Sequence, residues 1–311
     1  MLKNVAKVAA IVVIGGCTEP AEVGCLSSIE LLRLDGAKRK FELVENVLSE
    51  PRRGPAIGMF GKDVVIAGGC ASPGRHLKSV EVLKLGADKI YSIPGGLELA
   101  EEGSCAAFCQ YQDSVFIAGG FNGPDCLYST CLLSPTTVTS LPRLPTRLKN
   151  AAAVTNPSNP AEILLFGGWD ESRTLNTVFS LNPTQESSNC SMTGLLPYKV
   201  EGHTATPIGD KILLIGGYDG VTPTSTISIY DPETASTEIL DVKLDIAREN
   251  HATVYLENSK ELFVIGGWDG QSALSNVEVF NVTENPIRLQ KAQTLELVKA
   301  RQKAPAVVVD F

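Results

Sequence analysis

Short apolar runs that end in a pair of glycines recur along the whole chain. The runs read VVIGG, VIAGG, FIAGG, LLFGG, LLIGG and FVIGG, and their first glycines are Gly15, Gly68, Gly119, Gly167, Gly216 and Gly266. Consecutive pairs are 48 to 53 residues apart. A period of this size predicts a repeat architecture in which each unit is one supersecondary element.

A second pattern of β-branched and polar residues follows each glycine pair. The segments read SSIELLRL, KSVEVLKL, YSTCLLSP, NTVFSLNP, STISIYDP and SNVEVFNV, and the alternation of Ile227 and Ile229 with Ser228 is typical of strands. Another strand precedes each apolar run after the first, as in ENHATVYLENSKELFVIGG. Each unit is therefore predicted to hold about four strands. The predicted repeats are approximately 9–55, 56–105, 106–153, 154–203, 204–252 and 253–311.

Six four-stranded units of this length favour radial packing into a β-propeller, which leaves only short, protected sheet edges. The segments GGWDG, GGYDG and STISIYDPET resemble the kelch repeat. The resemblance implies an all-β, six-bladed kelch-type propeller that occupies residues 1–311 as a single domain. The chain departs from the usual pattern because Trp169 and Trp268 directly follow glycine pairs. The outer strands are weakly marked around Lys38 to Leu48 and Leu97 to Glu102. The BTB-like or BACK-like segment of many kelch-like adaptors is not found before the repeats, which argues against direct recruitment of a ubiquitin ligase. The alternative is that such a segment lies upstream of Met1.

The two ends of the chain are predicted to complete one blade together. ARQKAPAVVVDF resembles a strand that should precede a glycine run, but no run follows it, and the first unit lacks that strand. We therefore expect Lys303 to Val309 to pair with Ala9 to Ile14. The basic and apolar N-terminus also resembles a signal peptide. Because IVVIGGC at Ile11 to Cys17 recurs as VVIAGGC at Val64 to Cys70, we interpret it as the first strand.

Composition narrows the classes of function. The 311 residues carry a formal net charge of −8, which argues against a nucleic-acid partner. No apolar run reaches the ~18 residues of a membrane helix, so no membrane association is expected. The eight cysteines are interpreted as buried small side chains in a reducing, cytoplasmic compartment. With three histidines and no Cys-x-x-Cys pair, no metal or cofactor is expected. Cys109 and Tyr111 are treated as strand residues rather than copper ligands.

In the kelch-like adaptors that the chain resembles, partners bind to the loops that lead into the innermost strands. The resemblance therefore implies a protein-interaction module without catalytic activity, acting as the substrate-recognition part of a ubiquitin ligase adaptor or as an actin or cytoskeletal binder. Basic side chains gathered on these loops favour a protein or an acidic peptide as the partner. The alternative is a carbohydrate-acting propeller enzyme of the mutarotase or oxidase kind. The predicted partner-binding residues are Arg52, Arg53, Arg147, Lys149, His203, Arg248, Asn250, Arg301 and Lys303.

Overall fold

The computed structural model describes residues 9–20, 22–35, 39–86, 89–184 and 189–310. Within these ranges the regular structure consists of strands, arranged as six four-stranded antiparallel sheets and one two-stranded hairpin. The sheets form the blades of a propeller, so the predicted all-β, six-bladed fold is confirmed. In the described part of the chain, no helix has the length and apolar character needed to cross a membrane.

We number the strands in chain order and the blades from 1 to 6. The first two blades and the hairpin contain β1 (Ala9–Ile14), β2 (Ile29–Arg33), β3 (Glu42–Val44), β4 (Ala56–Phe60), β5 (Asp63–Ala67), β6 (Cys70–Ser72), β7 (Arg75–His76), β8 (Ser79–Leu85) and β9 (Ile90–Glu98). Blades 3 and 4 contain β10 (Ala107–Tyr111), β11 (Ser114–Ala118), β12 (Thr130–Leu133), β13 (Val138–Leu141), β14 (Ala152–Thr155), β15 (Ile163–Phe166), β16 (Thr177–Leu181) and β17 (Ser191–Leu195). Blades 5 and 6 and the C-terminus contain β18 (Thr204–Ile208), β19 (Lys211–Ile215), β20 (Ile227–Asp231), β21 (Ser236–Ile239), β22 (Ala252–Leu256), β23 (Glu261–Ile265), β24 (Asn276–Glu284), β25 (Ile287–Glu296) and β26 (Ala306–Asp310).

Blade 1 takes strands from both ends of the chain. Its order is β26-β1-β2-β3, and β26 pairs with β1 from Ala9 opposite Asp310 to Val13 opposite Ala306. Ile14 N–H also donates to the carbonyl of Pro305 at 2.9 Å. The predicted closure by the C-terminal strand is therefore confirmed, with the strand beginning slightly later than expected. Each of the other four-stranded sheets is formed by four strands of one continuous stretch of chain.

The second strand of each blade is apolar on both faces because each blade packs between two neighbours. β1, β15 and β23 are buried along almost their whole length. The outermost strands β17 and β25 are largely exposed. Shared apolar clusters join neighbouring blades, such as the cluster that contains Phe116 of blade 3 and Leu165 of blade 4. This radial packing explains why the glycine-terminated runs are continuously hydrophobic.

The glycine pairs allow neighbouring blades to approach at the end of the second strand. Gly167 has a φ of +56°, and a Cβ placed on it would lie 2.0 Å from the carbonyl oxygen of Val200 in the next loop. The following Gly168 donates its N–H to that same oxygen at 2.8 Å. Any side chain at Gly167 would displace this backbone contact, which accounts for the recurrence of the pair.

One predicted outer strand is displaced. The outer strand of blade 2 is β9, which ends at Glu98, rather than a strand over Leu97 to Glu102. It runs across Pro94, a residue that cannot donate to a strand partner, because an outermost strand needs hydrogen bonds on one side only. The weakly marked region Lys38 to Leu48 contains the short β3, and Lys38 itself lies outside the described residues.

Candidate functional site: the axial face

The loops into the innermost strands meet at the propeller axis, where one residue from each forms a closed ring. We call this set the axial ring, and every member has a φ between +52° and +61°. Each member donates its N–H to the carbonyl of the preceding member, with N···O distances of 2.6 to 3.0 Å. The last member closes the cycle, because Gly54 donates to Lys303. The axial ring consists of Gly54, Cys105, Asn150, Gly202, Asn250 and Lys303.

Three of the predicted partner-binding arginines are buried rather than displayed on this face. Arg52, Arg248 and Arg301 are at most 1% exposed. Each lies two residues before the axial ring and donates to the carbonyl of the first glycine of the next blade, at 2.7 to 2.9 Å. The prediction that these three arginines form part of an accessible basic rim is therefore wrong. Their side chains fill the junctions between blades because each has a carboxylate partner there.

Each buried arginine pairs with a glutamate on the third strand of the next blade. Arg52 lies 2.6 Å from Glu81, and the corresponding Arg248–Glu278 and Arg301–Glu30 distances are 2.7 Å. At the other three junctions, the arginine position holds Gly103, Leu148 and Val200, and the glutamate position holds Cys131, Phe179 and Ser228. Arginine and glutamate therefore occur together or are absent together. These arginine–glutamate pairs are structural and join neighbouring blades at three of the six junctions.

His203 is also internal. It is 6% exposed, lies just below the axial ring and lines an axial cavity of about 230 Å³. Burial lowers the pKa of His203 to about 3, so its imidazole is neutral at physiological pH. The prediction that His203 lies on the rim is therefore wrong. The loop turns inward at Gly202 of the axial ring and directs the side chain of His203 into the cavity.

The remaining predicted residues lie on or near the axial face. Arg147 is partly exposed and lies 3.5 Å from Asp125 and 3.7 Å from Glu171. Asn250 belongs to the axial ring and donates to the Glu249 carboxylate at 2.8 Å. Partner binding by these residues stays a prediction.

A cleft of about 560 Å³ opens on this face above blades 1 to 3, and we call it the face cleft. Its charged lining residues are Glu22, Arg53, Lys149 and Lys303. Arg53 lies 3.6 Å from Glu22. Among the described residues, neither Lys149 nor Lys303 has a carboxylate within salt-bridge distance. The cleft therefore carries a local excess of positive charge in an acidic protein.

Lys149 is held in place by aromatic rings. Its Nζ lies 4.3 Å from the centre of the Phe121 ring and 4.4 Å from that of Trp169. These aromatic residues each follow a glycine pair, and each forms a β-bridge with an axial loop. Cation–π contacts orient the ammonium group without neutralising its charge.

The opposite part of the face is acidic, so the basic rim is incomplete. Glu201 and Glu249 occupy the loop position that holds Arg53 and Lys149 in other repeats. Glu201 accepts hydrogen bonds from Asn150 at 2.9 Å and Thr174 at 3.0 Å. Burial raises the pKa of Glu249, although the charge of Lys303 opposes this shift.

Cys105 in the axial ring has an unusual electrostatic environment. Lys303 Nζ donates to its sulfur at 3.2 Å and to Asn150 Oδ1 at 3.3 Å. Burial raises the pKa of the Cys105 thiol, but the charges of Lys303 and Arg53 outweigh burial and lower that pKa to about 7. Burial alone acts on Cys131 and raises the pKa of its thiol to about 11.

This difference predicts site-selective alkylation. Iodoacetamide should modify Cys105 with a pH midpoint of about 7, because thiolate is the reactive form. Lys303→Gln should move that midpoint towards the ordinary value of about 8.5. Mass spectrometry of peptides from alkylated protein will measure both, with Cys131 as the internal unreactive control. Equal midpoints for wild type and Lys303→Gln would contradict the assignment.

The comparisons with known proteins agree with this architecture. Residues 134–310 match the KLHDC2/KLHL20/DRC7 Kelch-repeats domain, so the chain belongs to this Kelch-repeat family. Kelch-repeat domains generally mediate protein binding, and the chain has the fold of such an interaction module. No curated protein matches the chain.

Among solved structures, 720 chains match this chain. One is the structure of YjhT, with a TM-score of 0.68 and 15% sequence identity. The match covers 85% of this chain and 91% of that one. It overturns the expectation that the chain is not an enzyme. Kelch-type propellers include the mutarotases considered above, and the fold does not separate the two classes.

Sequence reasoning missed several residues of this face, namely Glu22, Cys105 and Phe121. Cys105 is the member of its repeat that aligns with Asn150, Asn250 and Lys303, so alignment of the repeats would have placed it at the axis. Glu22 lies in a loop between two glycine-pair landmarks, where no regular pattern marks it.

Proposed function

We propose that this protein binds an acidic segment of a partner protein in the face cleft. The observation that carries the proposal is the presence of two lysines, Lys149 and Lys303, without carboxylate partners beside Arg53 in one open cleft. A carboxylate that binds there gains charge-assisted hydrogen bonds, while the lysines are already oriented by their neighbours.

The shape of the cleft also suits a short peptide rather than a flat protein surface. It is concave, it lies on rigid loops closed by the axial ring, and Phe121 supplies an apolar wall. Loops carried on a rigid scaffold are common binding sites because the scaffold reduces the ordering cost. The eight cysteines are all free in the structure, which supports a proposed location in the reducing cytoplasm. Recognition of a substrate for a ubiquitin ligase or of a cytoskeletal protein is the cellular role proposed for this binding.

A peptide-binding measurement tests the proposal. Fluorescent peptides of equal length, rich in Glu, in Lys or in neutral residues, are titrated with the full chain. The Glu-rich peptide should bind most tightly, and added salt should weaken it. Lys149→Glu should reduce the affinity at least about tenfold, equivalent to about 1.4 kcal/mol.

Lys62→Glu is the matched control. It makes the same charge change at an exposed turn between β4 and β5, at the other end of an innermost strand. This variant should keep wild-type affinity. Equal losses from Lys62→Glu and Lys149→Glu would show a nonspecific charge effect, and equal binding of the three peptides would overturn the proposal.

A further inference from the structure

A group of metal-ligating side chains lies where the loops of blades 1 and 2 meet beside the face cleft. One ligand atom each from Glu22, Cys70 and His76 lies within 4.8 Å of the others. Cys25 is a neighbour of this group, and its thiol donates to the carbonyl of Glu22 at 3.2 Å. Glu22 and Cys25 belong to the loop after β1, whereas Cys70 and His76 belong to the β6–β7 hairpin.

This group is absent from the equivalent positions of the other blades. In blades 3 to 6, the residue directly after the glycine pair is aromatic, whereas blades 1 and 2 have Cys17 and Cys70 there. Each of these residues bridges to a second loop position, which holds Cys25 in blade 1 and His76 in blade 2. The equivalent bridging partners in blades 3 to 6 are Cys126, Thr174, Pro223 and Ala273. Two adjacent blades have therefore exchanged aromatic packing for thiol and imidazole groups.

His76 supplies a second, independent observation. Its side chain is 0% exposed, yet neither ring nitrogen has a hydrogen-bond partner. Its ring packs edge-on against Phe121, with the ring centres 5.6 Å apart. Because a buried polar group without a partner costs free energy, such a histidine calls for an explanation. Ligation of a metal through Nε2 provides one and leaves Nδ1 to carry the proton.

The distance between His76 and Glu22 fits a small tetrahedral ion. Nε2 of His76 lies 3.3 Å from Oε1 of Glu22, without forming a hydrogen bond. Zn²⁺ bonds of about 2.0–2.1 Å to nitrogen and oxygen, at a tetrahedral angle, place two such ligands about 3.3 Å apart. The second carboxylate oxygen of Glu22 accepts the N–H of Gly74 at 2.9 Å, which fixes the orientation of the group.

The charges also balance. Two thiolates and one carboxylate around a divalent ion leave one negative charge, because the imidazole is neutral. Arg53 lies 3.6 Å from Glu22 and supplies the compensating positive charge. Thiolate and imidazole ligands together favour borderline or soft metals such as Zn²⁺ over Mg²⁺ or Ca²⁺.

We propose that Glu22, Cys70 and His76 bind one divalent transition-metal ion of the Zn²⁺ class, and that the neighbouring Cys25 side chain turns in to supply the fourth ligand. The ion links the loop of blade 1 to the hairpin of blade 2 at the edge of the face cleft. The site shares Glu22 and Arg53 with the lining of the face cleft but uses neither Lys149 nor Lys303, so metal binding and peptide binding can be tested separately.

Titration of the full chain with Co²⁺ alone tests the site. Protein purified under reducing conditions and stripped with a chelator should take up one equivalent of Co²⁺. It should then show thiolate-to-cobalt charge-transfer absorption and the d–d bands of a tetrahedral ion. Zn²⁺ should displace the Co²⁺. Cys70→Ser and His76→Ala should each weaken Co²⁺ binding strongly. Loss of a residue that only supports a ligand costs about 10–100-fold in metal affinity, and loss of a ligand itself should cost at least as much.

Cys126→Ser is the matched control, because Cys126 occupies the position in blade 3 that His76 occupies in blade 2. Cys126 does not belong to the cluster of Glu22, Cys70 and His76. It should bind Co²⁺ as wild type does. Each variant is first compared with wild type by thermal unfolding, and Glu22→Gln replaces any variant that does not fold. Unchanged binding in a folded Cys70→Ser or Glu22→Gln variant would overturn the proposal. So would a Cys25–Cys70 disulfide in the native protein, together with no metal uptake after its reduction.

Discussion

A chain that ends at Lys303 will lose most of its folding stability. Deletion of Ala304 to Phe311 removes the innermost strand of blade 1 and leaves β1 with an open edge at the axis. It also exposes the apolar surface that Val309, which is 2% exposed, covers in the cluster shared by blades 1 and 2. The net stability of a domain is only about 5–15 kcal/mol, so loss of a whole core strand can exhaust it.

Circular dichroism during heating will measure this effect, with a shorter truncation as control. Deletion of Asp310 and Phe311 removes one strand pair, Ala9 opposite Asp310, and leaves the buried Val309 in place. It should lower the melting temperature slightly, whereas the longer deletion should abolish a cooperative transition or lower its midpoint strongly. Coincident melting curves for the longer truncation and the full chain would contradict closure by β26.

Arg248→Ala will destabilise the protein by about 3–5 kcal/mol, the usual cost of leaving a buried charge without its partner. Arg248 is 0% exposed, and its guanidinium group donates to Glu278, to the Asn276 side chain and to the carbonyl of Gly266. Without it, the Glu278 carboxylate stays buried and loses its counter-charge.

The junction between blades 3 and 4 provides the control, because Leu148 and Phe179 occupy the same two positions there and pack in one apolar cluster. The double variant Arg248→Leu/Glu278→Phe should be more stable than Arg248→Ala, since no buried charge remains. The double variant should still be less stable than wild type, because Glu278 also accepts hydrogen bonds from the backbone N–H groups of Asp245 and Ile246. Urea denaturation of both variants gives the comparison. A double variant less stable than Arg248→Ala would contradict the view that the unpaired charge dominates.

The stability of the single variant Arg248→Ala should depend on pH in a defined direction. Burial raises the pKa of Glu278 even with Arg248 present, and removal of the arginine raises it further. A carboxyl whose pKa is higher in the folded than in the unfolded state favours folding at low pH, and this contribution is lost as pH rises through the folded-state pKa. The stability deficit of Arg248→Ala should therefore be smallest in acid and largest at neutral pH.

Much of the fold followed from local pattern. The glycine pairs, the apolar runs and the unpaired strand ARQKAPAVVVDF predicted six blades and their closure because strand periodicity and close backbone approach leave direct marks in a sequence. The role of the arginines did not follow, because arginine is usually exposed. Arg52, Arg248 and Arg301 are enclosed only because the glutamate of the next blade meets them across a junction.

The sequence by itself therefore determined the repeat, the number of blades and the joining of the two chain ends, since each of these depends on residues close together or evenly spaced along the chain. Only the tertiary structure decided which side chains share a site. Closure of the ring brings Lys149 and Lys303 into one cleft. Packing of blade 2 against blade 1 places Glu22 beside Cys70 and His76. Such contacts join residues far apart in the chain, and their chemistry arises from distance and burial, which no local pattern records.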